Sequence, residues 1–284
     1  MSEQTVSIGG LYVHPVKSCA RIALQRARVT ETGLEWDRQW MVFDDGGEFV
    51  SQREEPRLAL VRPTLRASDL VLRAPGMLAL HLALDAVEGD ATVRVWNDTV
   101  RAGDMGDLAA QWFSDFLGRP VRLARFDPEV QRLSDSQWTG GARALTAFAD
   151  AFALLVVSTA SLTELNRRLG LRGAAPVGSD RFRPNLVLDG LGTHEEDWIH
   201  RIEFETPDGA VVLRLVKPCS RCSIPDVDPE RGQLDHAVSA ELAAYRADPR
   251  VNGQVTFGMN AIVEQGDECW LHTGASGRAT VRFD

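Results

Sequence analysis

Ala210-Val211-Val212-Leu213-Arg214-Leu215-Val216 runs directly into Lys217-Pro218-Cys219-Ser220-Arg221-Cys222, and then into Ser223-Ile224-Pro225-Asp226-Val227-Asp228-Pro229. The first run is short, β-branched and preceded by the turn Pro207-Asp208-Gly209, which predicts a strand. Pro218 and Pro225 argue against a continuous helix through residues 217–229. The two cysteines are therefore expected where a strand ends and a loop begins. A thiolate ligates soft metals or acts as a nucleophile, and neighbouring cations such as Lys217 and Arg221 favour it. Three readings stay open: a ligand to a metal or metal cofactor, a redox disulfide, or two inert thiols. Structural zinc would want a second Cys or His pair at ligand spacing, whereas Cys19 and Cys269 stand alone. A thioredoxin-like pair would open a helix after a βα turn, and this one does not.

Outward from that loop, short strands dominate. They are expected at 5–14 (broken at Gly9-Gly10), 21–30, 33–44, 58–63, 69–74, 78–84 and 91–96, with Asp45-Gly46-Gly47 turning into 48–52. This spacing predicts an all-β sheet or barrel for roughly the first hundred residues. Apolar residues then recur at three- and four-residue steps over 103–117, which predicts a helix stopped by Gly118 and Pro120. Residues 131–147 read as a long loop. Asp150 precedes the apolar strand 154–157 and is either a cap or a pocket acid. Ser161-Leu162-Thr163-Glu164 reads as a capping box, so a helix is expected over 160–169, ended by Gly170. Further strands are expected at 186–188, 255–263, 268–272 and 280–283, and a helix at 239–246. The whole is mainly β with α, an α+β chain.

Among the charged residues, Lys17 in His14-Pro15-Val16-Lys17-Ser18 reads most simply as a solvated loop lysine, and Arg38 as a surface ion-pair partner worth little. Arg181 has Asp180 beside it as a surface partner. Arg183, between Phe182 and Pro184-Asn185, is the better candidate for gripping a phosphate or carboxylate. The 284 residues carry 31 basic and 40 acidic side chains, a net charge of −9, which argues against bulk nucleic-acid binding. Four cysteines, two of them isolated, make no secreted disulfide framework. No secretory leader or apolar membrane span is visible, so the reduced cytoplasm is the expected compartment.

Five motifs occur in order: His14-Pro15-Val16-Lys17-Ser18, Asp37-Arg38-Gln39-Trp40, Ser51-Gln52-Arg53-Glu54-Glu55-Pro56-Arg57-Leu58, Arg181-Phe182-Arg183-Pro184-Asn185, and Lys217-Pro218-Cys219-Ser220-Arg221-Cys222 with Asp226-Val227-Asp228-Pro229. Together they resemble the MOSC-domain molybdenum proteins, in particular the amidoxime-reducing and YcbX-type proteins. The resemblance runs from about residue 6 to the C-terminus. It implies a β-barrel N-terminal domain over 1–120 and a MOSC β-barrel domain over 121–284, with a molybdenum cofactor of the molybdopterin type between them.

The same resemblance implies that Cys222 ligates the metal. It gives Lys17, Arg38 and Arg183 to the phosphate and pterin, with Ser18, Asn185, Ser220 and Arg221 nearby, and makes Asp150 a proton relay close to the metal. The implied activity is reduction of small N-hydroxylated compounds (amidoximes, hydroxylamines, N-hydroxylated bases) with two electrons and two protons. Many YcbX-type proteins carry a ferredoxin-like domain, but no C-x₄-C-x₂-C run occurs here, so an external flavin or iron–sulfur donor is expected. Two alternatives remain: a sulfur carrier or sulfurtransferase with a persulfide on Cys222, and a carrier that delivers the cofactor.

Overall fold

The computed structural model describes residues 2–282. Its centre is a closed ring of seven strands. In ring order these are Leu154–Ser158, Leu186–Asp189, Ser2–Val13, Ser276–Val281, Ile199–Thr206, Gly209–Ser220 and Gln254–Gln265, which pairs back onto Leu154–Ser158. Only the Leu154–Ser158 and Leu186–Asp189 pair is parallel, and the helix Thr159–Leu171 makes the crossover such a pair requires. Closure leaves no unpaired edge. The barrel is filled by alternating inward residues, among them Ile8, Val156, Ile202, Phe204, Leu213 and Ala279.

The segment between the first strand and the rest of the barrel forms two smaller sheets. One orders Trp40–Phe43, Arg122–Phe126, Asp98–Asp104 and Gly89–Val95; the other orders Arg62–Leu65, Asp69–Arg73 and Leu80–Ala83. Helix Asp107–Leu117 buries Trp112, Phe113 and Phe116 against Trp40, Leu58, Leu70 and Leu123. Gly118 ends it in the left-handed conformation that glycine adopts without strain.

Several sequence expectations are corrected. The strand expected at 58–63 is a 3-10 turn, Pro56–Leu60, followed by the strand Arg62–Leu65; Pro56 pre-sets the turn's first residue. The stretch 33–44 is two short strands separated by a turn in which Trp36 and Arg38 have positive φ. Part of the expected helix at 103–117 is instead the strand Asp98–Asp104. The helix expected over 160–169 runs Thr159–Leu171, and its cap is Ser158, which accepts from the Ser161 amide, in place of Ser161. The loop 131–147 contains one helical turn, Ser136–Thr139. Strand Gly209–Ser220 continues through Pro218 and Cys219. It does so by breaking register with Gln254–Gln265 on both sides of that proline, which removes the need for its missing N–H. Of the strand expected at 280–283, Phe283 lies outside the described residues. No helix among the described residues is long and apolar enough to cross a membrane.

Candidate functional site

Between the barrel and the two smaller sheets lies an open cleft of about 770 Å³, counted out to its mouth. Lys17, Ser18, Arg38, Asp150, Arg183, Asn185, Ser220, Arg221 and Cys222 all line it. The structure thus brings every sequence-derived site residue to one place, from segments up to 205 positions apart (17 to 222).

The inner end is fixed by backbone shape and hydrogen bonds. Ser18, Arg38 and Arg183 have φ values of 67°, 50° and 59°, a left-handed conformation that side-chain-bearing residues adopt at a cost of about 1–3 kcal/mol each. Arg38 pairs with the buried Asp37, donates to Asn185 Oδ1 at 2.9 Å and donates to the Arg183 carbonyl at 3.0 Å. Asn185 also accepts from the Leu155 amide at 3.1 Å and donates to the Tyr12 carbonyl at 3.3 Å, so its amide clamps Arg38 between strands. Arg183 donates to the Cys19 carbonyl at 2.6 Å, and Gln52 donates to the Ser18 carbonyl at 2.6 Å.

These cations crowd one another. Burial and the charge of Arg38 push Arg183 down to about 10, and burial lowers Lys17 against the pull of Asp150. Asp37 is opposed by its own burial, yet Arg38 and His14 hold it at about 2. Burial, Arg38 and Arg183 lower His14 well below its usual range, so this imidazole is neutral.

The outer end is looser. Cys222 is exposed, and Arg53 Nη1 approaches its sulfur to 3.7 Å. Cys219 is half-buried and accepts from Arg221 Nη1 at 3.0 Å; Arg221 also donates to the Phe182 carbonyl at 3.0 Å. Lys17 Nζ donates to the Phe148 carbonyl at 2.8 Å and pairs with Asp150 on the rim. Burial disfavours charge on Asp150, but Lys17 overrides it and holds this carboxyl well below the usual carboxylate range. Lys17 is therefore a buried ion-pair partner, not a solvated loop lysine. Arg181 lies outside the cleft; it is buried and paired with Asp235, at 2.9 Å, in place of Asp180.

Four residues of the site had no assigned role in the sequence. Asp37, Gln52 and Arg53 stand inside the five motifs, but nothing in their spacing says which would face the cleft. Trp96, whose Nε1 donates to Asp150 at 3.2 Å, is only the last residue of an expected strand.

Five cations, Lys17, Arg38, Arg53, Arg183 and Arg221, converge here in a protein of net charge −9. Gathering like charges at a buried place is costly unless an anion sits among them. Ser220 Oγ and Arg221 Nε are buried without hydrogen-bond partners, so two polar atoms at the cleft wall are open to a ligand. Among the described residues no three His, Cys, Asp or Glu side chains gather as a metal site. A metal at Cys222 would take its other ligands from a non-protein group. An anionic pterin bearing a phosphate and a sulfur-ligated metal fits this donor set.

Comparison with known proteins agrees with the geometry. The family model for the MOSC N-terminal beta barrel domain matches residues 5–120, and that for the MOSC domain matches residues 144–276. Mitochondrial amidoxime-reducing component 1 of Mus musculus is 34% identical over 274 residues, covering 93% of this chain and 78% of that protein. The Homo sapiens protein of the same name is 33% identical, covering 86% of this chain and 73% of its own length. Molybdenum cofactor sulfurase of Homo sapiens is 30% identical over 94% of this chain but only 31% of its own length. With both models matched in order and this kinship over most of its length, the chain belongs to the MOSC-domain family.

Proposed function

We propose that this protein holds a molybdenum cofactor between residues 1–120 and 121–284 and uses it to reduce N-hydroxylated compounds, with electrons from an external flavin or iron–sulfur donor. The observation that carries the reading is the pairing of one exposed thiol, Cys222, with a buried cradle of cations behind it. The names of the relatives, amidoxime-reducing components, support the reaction class. When bound, the cofactor supplies the two-electron redox couple.

The protein's own part is binding and proton handling. Arg38 and Arg183 grip the phosphate, with Lys17 and Ser18 beside them, and Asn185 acts through Arg38 by fixing its guanidinium. Ser220 Oγ and Arg221 Nε hydrogen-bond the pterin. Cys222 ligates the metal, and Cys219, held under Arg221, keeps the loop's shape. Asp150 is ionised at neutral pH, so the proton to be delivered rests on Lys17 Nζ, and Asp150 receives and relays it.

The test is metal analysis by mass spectrometry on protein made in a host that synthesises the cofactor, beside Cys222→Ser. Near-stoichiometric molybdenum and amidoxime turnover in the wild type, both lost in an equally stable variant, are expected. Full metal content and turnover in the variant would overturn the ligand assignment. The exposure of Cys222 also favours a second reading, a persulfide-bearing sulfur carrier like the family's sulfurase branch. Cyanide-labile sulfur on Cys222 without molybdenum would decide for it.

A further inference from the structure

The hairpin Gly89–Val95 to Asp98–Asp104 turns through only two residues, Trp96 and Asn97, because Val95 pairs directly with Asp98. Trp96 takes the first of these places with φ 58°, a conformation for which such a turn favours glycine and which bulky residues rarely adopt. Its side chain is half exposed and meets the cleft through Asp150. Folding alone does not call for a strained, half-wet indole at a hairpin tip.

Its neighbours show what it faces. Trp96 Nε1 donates to Asp150 Oδ1 at 3.2 Å. The Arg53 guanidinium lies 4.5 Å from the Trp96 ring and 5.5 Å from Phe49, while Phe49 meets Trp96 edge-on at 5.2 Å. Arg53 forms no ion pair among the described residues, and its other contact is the Cys222 sulfur at 3.7 Å. Asp150 accepts from both Lys17 and Trp96 through Oδ1, and Oδ2 accepts from no described residue. A half-exposed indole, a planar donor without an ion-pair partner and a free carboxylate oxygen therefore stand together, and Arg53 links them to the exposed thiol.

We propose that Trp96 and Arg53 form the substrate seat of this site and that the seat selects flat, conjugated N-hydroxyamidines over alkyl ones. This rests on the reductase reading above. The conjugated plane takes the place of the Arg53 guanidinium on the indole, as planar rings stack on aromatic side chains, and that guanidinium turns to the substrate. Arg53 donates to the N-hydroxyl oxygen, and Asp150 Oδ2 accepts from the amidine N–H. An N-oxide or sulfoxide presents no such N–H and leaves Asp150 unmatched. The seat belongs wholly to the first 120 residues apart from Asp150, while the thiol belongs to the barrel, so substrate choice and metal binding come from different parts of the chain.

The experiment compares wild type, Trp96→Gly and Trp96→Phe, each isolated with its cofactor. Affinity for benzamidoxime is measured by calorimetry with no electron donor present. The ratio of kcat/KM for benzamidoxime to that for acetamidoxime is then measured with dithionite-reduced methyl viologen. Glycine relieves the turn, so Trp96→Gly is expected to unfold no earlier than wild type. It should lose about tenfold in benzamidoxime affinity and about tenfold in the kcat/KM ratio, the size expected for one lost stack. Trp96→Phe should stay within threefold on both. Unchanged affinity, or equal losses for the aryl and alkyl substrates, overturns the seat. If wild type reduces neither amidoxime, the reductase reading fails, and the donor-free binding comparison still decides whether Trp96 is a seat for the aryl group.

Discussion

The two ends of the cleft are built on opposite principles. At the inner end Arg38, Arg183, Asn185 and Asp37 are buried or nearly so, and each side chain is tied to at least one named partner. At the outer end Cys222 is exposed, Arg53 leans on an aromatic face, and one oxygen of Asp150 is free. The inner end suits one ligand that stays, because its donors are aimed before anything binds. The outer end suits small molecules that come and go. The contrast teaches that most of the costly features, buried like charges and the left-handed Ser18, Arg38 and Arg183, sit where a lasting ligand would offset them on every folded molecule, with Trp96 the exception at the outer end.

The largest expected effect tests whether the inner end is a prebuilt scaffold. Asp37→Ala strands Arg38 and frees the His14 amide that Asp37 receives at 2.7 Å. Removing one partner of a buried pair costs about 3–5 kcal/mol, read from urea unfolding. A loss below about 1 kcal/mol would mean that Asn185 and the Arg183 carbonyl hold Arg38 without help.

Next in size is acid. The Asp37 carboxyl is depressed from 3.8 to about 2 in the folded protein, so its stabilisation is complete above pH 3.8 and disappears as pH falls toward 2. The shift corresponds to about 2 kcal/mol. Unfolding free energy followed between pH 5 and 2 should show this loss in wild type and lack it in Asp37→Asn. The same acid slope in both proteins would place the sensitive group elsewhere.

The smallest sharpens the contrast by separating binding from folding. Arg183→Ala removes one of the crowded cations, whose pKa burial and Arg38 have pushed down to about 10. The cofactor-free protein should be as stable as wild type or more so, while cofactor loss on dilution accelerates about tenfold, equivalent to about 1.4 kcal/mol. Unchanged retention would remove Arg183 from the phosphate grip.

Much of this was legible in the chain. The strand Gly209–Ser220, the helix ending at Gly118 and the strand Leu154–Ser158 follow from local period and turn residues. The resemblance carried by the five ordered motifs named Lys17, Arg38, Arg183 and Cys222 as the cleft's lining, whereas residue chemistry alone pointed only to Arg183 and the thiol loop. Local pattern failed at Pro218, where a proline that should end a strand is accommodated by register breaks with the later strand Gln254–Gln265. It failed at Ser161, since a cap depends on which hydroxyl the fold aims at the amide. It failed wholly at Trp96, whose meaning lies in neighbours at positions 53 and 150.

By itself the sequence determined the inventory: short strands, few helices, an acidic chain with a local supply of arginines, and one thiol loop. Those follow from side-chain chemistry and periodicity, which act over a few residues. Only the tertiary structure decided that the first strand, Ser2–Val13, closes the barrel between Leu186–Asp189 and Ser276–Val281. It also decided that Cys222 is exposed while Cys219 lies under Arg221, and that Lys17 is buried against Asp150. The reason is that a period-2 pattern fixes which face of a strand is buried but not which strand pairs with it. Long-range pairing and burial set the charges and orientations on which the chemistry rests.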